Sequence, residues 1–387
     1  MTVAQYTDFF SLIIFGVLLI PAVILGVCGK KIKYYGMFVS IPALCMIFGM
    51  KSFQMIQFLI FIACEFILII GYYYLRKKTK SKVIYYTIFV LSMVPIFMIK
   101  LCVYSERYKI LGFIGISYIS FRIWQLIIEI HDDKLKEFSI PEILYFLTFF
   151  PTISSVPIDR YNRFKKDINT KLESITYIND YLFVGLKKTF LAITYKFAIA
   201  ALINCYVLEK IPPAEGKTLT STIIYMYAYT FYLFFDFAGY SNFAIGTGYI
   251  LGIKVPENFN KPFLSHNMKE FWDRWQISLS KWFGDYLFSR FVLNTLRNKT
   301  FKSKKVAVRC GYMLTMTTMG IWHGFYLYYI AYGVYQGLML LLTDVYTKSK
   351  TYRKFKKSRY YDIVSRIICF QVIAFGMLIF SGYLFKF

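Results

Sequence analysis

Apolar runs of about 20 residues recur along this chain, and each is long enough to cross roughly 30 Å of hydrocarbon as a helix. No other feature constrains the fold as much. The pattern places helices over about 9–27, 34–50, 53–75, 83–104, 110–130, 180–208, 306–321, 325–345 and 361–384. A run from Thr218 to Leu251 is long enough for a tilted span with a broken end. With 57% hydrophobic residues and a mean hydropathy of +0.49, a soluble domain of 387 residues is excluded. The first run, Phe9 to Val27, lacks a basic leader and a small-residue cleavage site, so it reads as a retained helix. The expected fold is an all-α polytopic membrane protein, one membrane-embedded domain over 1–387 with neither internal repeat nor soluble domain.

The formal net charge of +25 invites a nucleic-acid reading, but the basic residues fall in short loops between apolar runs. They cluster in Lys30–Lys33, Arg76–Lys82, Arg160–Lys171, Arg297–Lys305 and Lys348–Arg359. That distribution follows the positive-inside rule, which places both termini outside. It also suits attraction to anionic lipid and to an acidic partner on the inner face. The seven cysteines are scattered without a CxxC pair and read as small core residues, not disulfides or metal ligands.

The chemistry concentrates between Phe271 and His323. Four of the five tryptophans lie there (Trp272, Trp275, Trp282 and Trp322), with one of the three histidines, His323, inside an apolar run. An ionisable group at membrane depth is costly and marks a site by default, against the alternative of a core histidine satisfied by a carbonyl. At 100° per residue, Phe271 to Arg290 forms one amphipathic helix. The tryptophans share one face; Asp273, Gln276, Ser280 and Gly284 share the other. Upstream, Asp236 is a charge in an aromatic helix and needs a partner, in a buried network or a pocket, while Gly239, Gly246 and Gly248 allow close helix approach. Ile140 to Pro151 is too short to span and leads into Pro151-Thr-Ile-Ser-Ser-Val-Pro-Ile-Asp-Arg-Tyr161, a re-entrant or interfacial segment carrying Ser154, Ser155, Asp159 and Arg160. His266 reads as a surface or capping residue, and His131-Asp132-Asp133 as a solvated helix end without metal.

Taken in order, Pro151–Tyr161, Tyr227 to Ser241, Asn258-Phe-Asn-Lys-Pro-Phe263, Phe271 to Trp282 and Met319-Gly-Ile-Trp-His-Gly324 resemble the membrane-bound O-acyltransferase family over nearly the whole chain. They are most similar to its branch that D-alanylates teichoic acids. The resemblance implies a ring of about 10–12 transmembrane helices, with re-entrant helices, around a thin centre reached by an outer funnel, in a bacterial plasma membrane. It implies transfer of a D-alanyl group towards lipoteichoic acid from a phosphopantetheine thioester on a small acidic acyl carrier protein at the cytoplasmic face. Other membrane proteins of teichoic acid D-alanylation would be further partners, and no cofactor is bound. His323 stands at the family's essential histidine. The segment from Tyr286 to Arg297 matches the carrier-contacting helix, making Val292, Leu293 and Leu296 candidate contacts. Where close relatives carry histidine and arginine, this chain has Gln276 and Gly284.

Acyl transfer from a thioester to a hydroxyl needs a base on the hydroxyl and a donor for the carbonyl oxygen. The catalytic candidates are His323 as base and Gln276 as a neutral orienting or oxyanion-binding group. Asp236, Asp273, Ser280, Ser154, Ser155, Asp159 and Arg160 are candidate pocket residues. The other readings are acetylation of an exopolysaccharide by a related enzyme and a non-catalytic scaffold or conduit. A plain transporter would show paired broken helices in two related halves.

Overall fold

The computed structural model describes residues 9–49, 52–102, 112–135, 137–154, 157–211, 218–301 and 303–385. Ser155, Val156 and Lys302 lie outside the described residues, as do residues 103–111 and 212–217. The helices are α1 Phe9–Val27, α2 Lys33–Phe48, α3 Phe53–Lys78, α4 Lys82–Cys102, α5 Ile116–His131, α6 Ile140–Leu147 and α7 Tyr161–Asn169. They continue as α8 Ser174–Lys210 and α9 Leu219–Ile250. Next come α10 Met268–Trp272, α11 Ile277–Phe283, α12 Ser289–Arg297, α13 Lys304–His323, α14 Leu327–Thr347, α15 Lys350–Phe355 and α16 Tyr361–Phe380. Among the described residues there is an isolated bridge, Phe259 to Trp275, and no named strand.

By length and apolarity α3, Lys82–Leu101 of α4, α8 and α16 can each cross a membrane. Leu12–Val27, Lys33–Phe48 and Ile140–Thr152 are shorter apolar helices. The remaining long helices fall below that hydropathy because α9 and α14 are rich in tyrosine and α13 in threonine and basic residues. The chain is an all-α polytopic membrane protein. Its exposed apolar side chains, such as Ile67 on α3 and Val90 on α4, belong to faces that suit lipid. The same physics corrects the reading of the cysteines. Cys28, Cys64 and Cys205 are exposed, Cys45 and Cys310 half-buried, and Cys369 alone of the described free thiols is buried.

The described chain divides into two compact units, Met1–Ala192 with Tyr240–Pro256, and Ile193–Gly239 with Glu257–Phe387. In the first, the short α6 ends in a 3₁₀ turn, Phe150–Thr152, that is buried throughout. A broken helix at such a depth leaves carbonyls that water does not reach. Arg122 of α5, 1% exposed, answers them. Its guanidinium donates to Phe146 O at 2.9 Å, Leu147 O at 3.3 Å, Thr152 O at 2.5 Å and the Thr152 hydroxyl. The turn also lies on Gly115 (φ +91°), where a Cβ would stand 2.1 Å from Ile153 O, so only glycine fits. α5 starts at Ile116 rather than near 110. His131 ends it, stacked on Tyr85 with ring centroids 3.9 Å apart and within 3.2 Å of the Tyr72 hydroxyl, while Asp133 pairs with Arg76 at 3.2 Å.

In the second unit, α13 and α14 form an antiparallel hairpin closed by two glycines. A Cβ on Gly320 would meet Tyr329 O at 2.4 Å, and one on Gly333 would meet Met316 O at 2.6 Å. Tyr335 of α14 fixes α16 alongside by donating to Val372 O at 2.9 Å. Lys196 of α8 pairs with Asp236 of α9 at 2.5 Å, both largely buried. Lys196 therefore sits well inside the continuous helix α8, where its partner charge is.

Candidate active site

The stretch read as one amphipathic helix, Phe271 to Arg290, is broken. α10 is capped by Asn267, whose side chain accepts Lys269 N at 3.1 Å and Glu270 N at 3.0 Å. Glu270 reaches back to His266 N at 2.9 Å, completing a reciprocal cap. Burial alone would lift the Glu270 carboxyl, but the His266 N–H and ring and the Arg274 guanidinium hold it below the usual carboxylate range. The helix stops after Trp272, and Gln276 adopts the left-handed conformation (φ 43°, ψ 51°) before α11 begins at Ile277. A glutamine there costs roughly 1–2 kcal/mol and must be held.

Asn258 to Asn260 does the holding. Ile277 N donates to Asn258 O at 2.9 Å, Ser278 N and its hydroxyl donate to Asn258 Oδ1 at 3.0 and 2.8 Å, and Asn260 N donates to Arg274 O at 2.9 Å. Asn258 is fully buried. Trp275 is wedged among Phe234, Phe259, Phe263 and Phe271, with ring centroids 5.1 to 6.1 Å away. The Asn258–Phe263 motif is thus a clamp on the chain reversal that carries Gln276.

His323 is the last residue of α13, three residues beyond the Gly320–Gly333 contact. Its half-buried ring is enclosed by aromatics: Trp322 and Phe380 at 4.9 Å, Tyr329 at 5.7 Å and Tyr332 at 6.5 Å between centroids.

Gln276 and His323 wall one narrow cavity of about 20 Å³, with Trp272, Trp275, Tyr332 and Phe380 among its other lining residues. That is room for about one water molecule. The Gln276 side chain, 6% exposed, makes no hydrogen bond to a described residue. The buried indole N–H of Trp272 has no partner among the described residues either. Reading Trp272 as part of an apolar stripe missed this donor; the missing signal was the helix break, which turns its ring to the same cavity as Gln276. A base and a neutral amide around one small void, with Trp272, whose buried N–H is unpaired among the described residues, in its wall, suit proton abstraction with stabilisation of a developing oxyanion.

The other candidates lie elsewhere. Asp273 is exposed, and half-buried Ser280 donates to Trp275 O at 3.2 Å; neither lines the cavity, since the break at Gln276 destroys the shared helical face. The same break overturns the separation of Gln276 from the tryptophans. Asp236 is consumed by Lys196 and does not line the cavity. In the first unit, half-buried Ser154 packs its backbone near Gly115. Asp159, 4% exposed, accepts Arg163 Nε at 2.8 Å and Arg160 N at 2.6 Å, and Arg160 reaches Gln125 Oε1 at 3.4 Å. His266 lies 2.8 Å from Glu270 and 3.0 Å from Asp362 and is absent from the His323 cavity, which fits a capping role. On α12, Val292 is buried (7% exposed) against Gly311, so it is not an outward contact; Leu293 is 67% exposed and Leu296 half-buried. Gly284 has open space around it.

Residues 43–385 match the sequence model of the membrane-bound O-acyltransferase family. The teichoic acid D-alanyltransferase of Bacillus subtilis (strain 168) is 40% identical over 386 residues, covering 97% of this chain and 98% of that protein. That of Streptococcus thermophilus is 36% identical, covering 98% and 95%. A probable alginate O-acetylase of Pseudomonas syringae pv. tomato is 30% identical over 275 residues, 70% of this chain and 49% of that protein. The cavity that holds His323 and Gln276 lies wholly inside the span matched by the family, and the similarity runs essentially end to end: the chain is a membrane acyltransferase and belongs to the membrane-bound O-acyltransferase family.

Proposed function

We propose that this chain moves a D-alanyl group from a thioester to a hydroxyl of teichoic acid. The thioester is delivered on the phosphopantetheine arm of a small acidic carrier protein at the cytoplasmic face, and the acyl group passes towards lipoteichoic acid outside. The shared cavity of His323 and Gln276 carries the chemical part of this reading. A ring nitrogen of His323 takes the proton of the attacking hydroxyl. The new C–O bond forms first, then the C–S bond breaks as the oxyanion collapses, and the departing thiolate takes the proton back from His323 and leaves as a thiol with its carrier. The carbonyl oxygen, negative in between, is met by the Gln276 amide and the Trp272 N–H. Two teichoic acid D-alanyltransferases that match over nearly their full length support the D-alanyl group and the acceptor.

The carrier reading rests on exposed Leu293 of α12 and on the exposed basic residues that follow it in the chain, Arg297, Lys299, Lys304 and Lys305. Rim charges of this sign steer an acidic partner. The basic loops support placing both termini outside, and the bacterial plasma membrane rests on the likeness to the teichoic acid D-alanyltransferases. The test is the ester content of the cell envelope with and without the protein, and with His323→Ala. We expect D-alanine esters to disappear with the gene and to fall by about 10²–10⁴-fold in rate with His323→Ala at normal expression. Unchanged D-alanine with a loss of acetyl esters would assign the chain to the exopolysaccharide chemistry of its more distant relatives.

A further inference from the structure

A second cavity, of about 430 Å³, lies in the same unit between α14, α15 and α16. Met339, Leu342, Phe355, Ile368 and Val372 make most of its apolar wall, and it shares no lining residue with the His323 cavity. Its size falls within the roughly 300–1,000 Å³ of ligand pockets. Two independent observations say what fits. First, it opens sideways onto the apolar face of a membrane-spanning helix: Ile368 lines it yet is 58% exposed, and Ile363 and Ile367 beside it on α16 are 64% and 55% exposed. Second, the segment Lys348 to Arg359 carries seven basic and no acidic residues. Tyr352 and Phe355 dip from that segment into the cavity, while Lys350, Arg353, Lys354, Lys356 and Lys357 are exposed and make no ion pair with a described residue. The nearby acids are already engaged: Asp362 and Glu270 by His266, and Asp344 by Arg309 at 3.1 Å.

We propose that this cavity binds an anionic membrane phospholipid, one acyl chain inside and the phosphate headgroup on the basic segment. An apolar slot open to the acyl region, next to a concentrated positive charge, matches that amphiphile at both ends. A neutral lipid satisfies only the first half, and a free anion only the second. The site needs nothing from the acyl-transfer chemistry, so its test reads bound lipid and not ester.

The experiment uses the full-length protein in nanodiscs containing phosphatidylglycerol with a photoreactive diazirine at the chain end, or the same probe as phosphatidylcholine. After irradiation, labelled peptides are mapped by mass spectrometry. We expect the anionic probe to label Met339 and Val372, half-buried in the cavity wall, well above the choline probe. Reversing Arg353, Lys354 and Lys357 to Glu, each worth roughly fivefold in surface attraction, should cut that labelling more than about tenfold. Val372→Trp, which fills the slot, should abolish it. Equal labelling by both probes, labels confined to Ile363 and Ile367, or insensitivity to the charge reversals would overturn the site. The labelling pattern of the unmodified protein decides the matter even where a variant fails to fold.

Discussion

Gln276 and His323 share one cavity, although 47 positions separate 276 from 323 and neither lies on the other's helix. A left-handed residue pinned by Asn258 supplies one wall, and the C-terminal end of a glycine-closed helical hairpin supplies the other. Both positions are fixed by backbone contacts, which is how a site keeps its groups in place as charge develops.

That relationship makes Gln276 testable by chemistry. Gln276→Ala should slow transfer by about 10²–10³-fold, the usual effect of losing one preorganised donor. Gln276→His should retain activity and add a second titrating imidazole to the pH–rate profile. Steady-state transfer rates over pH 5 to 9 check both; a silent alanine variant would remove the position from the site.

Trp272 offers a finer probe. Trp272→Phe keeps an aromatic wall but deletes the unpaired indole N–H. We expect kcat to fall about tenfold or more with little change in KM, because a donor used only at the oxyanion acts on the transition state. A rise in KM at constant kcat would make Trp272 a packing residue.

Arg122 should govern stability instead of chemistry. Arg122→Met removes the donor to the Phe146, Leu147 and Thr152 carbonyls and leaves them buried without water. Losing one partner of such a buried charged network costs about 3–5 kcal/mol. Arg122→Lys should recover only part of it, since an ammonium lacks the planar fork that spans several acceptors. Thermal unfolding in detergent separates the three proteins, and equal midpoints would contradict the assignment.

The partner surface predicts an asymmetry on one helix. Leu293→Asp changes an exposed side chain and should weaken carrier binding while leaving the fold intact. Val292→Asp puts a charge in a buried position against Gly311 and should lower stability first. Binding measured across salt concentrations, beside a melting curve for each variant, distinguishes them. Charge reversal at Lys304 and Lys305 should flatten the salt dependence.

The sequence alone determined the class and the anchor points of this protein. Runs of apolar residues admit only helices in a membrane, because hydrocarbon leaves no other way to satisfy the backbone, and a histidine in such a run is conspicuous for the same reason. Length and hydropathy therefore marked α1 to α4, α8 and α16, and His323 with them. Periodicity failed at Gln276. It assumes that a helix continues, and nothing local to Phe271–Arg290 announces a reversal clamped by Asn258 from 18 residues upstream of 276. Asp273 and Ser280 were misplaced by that assumption, and the Trp272 N–H was hidden by it. Arg122 was equally invisible, since its acceptors lie 24 to 30 residues further along the chain and exist as acceptors only once α6 has broken. Hydrophobic pattern is a property of neighbours in sequence. Which buried polar groups face one another is set by contacts between distant segments, and only the tertiary structure decides it.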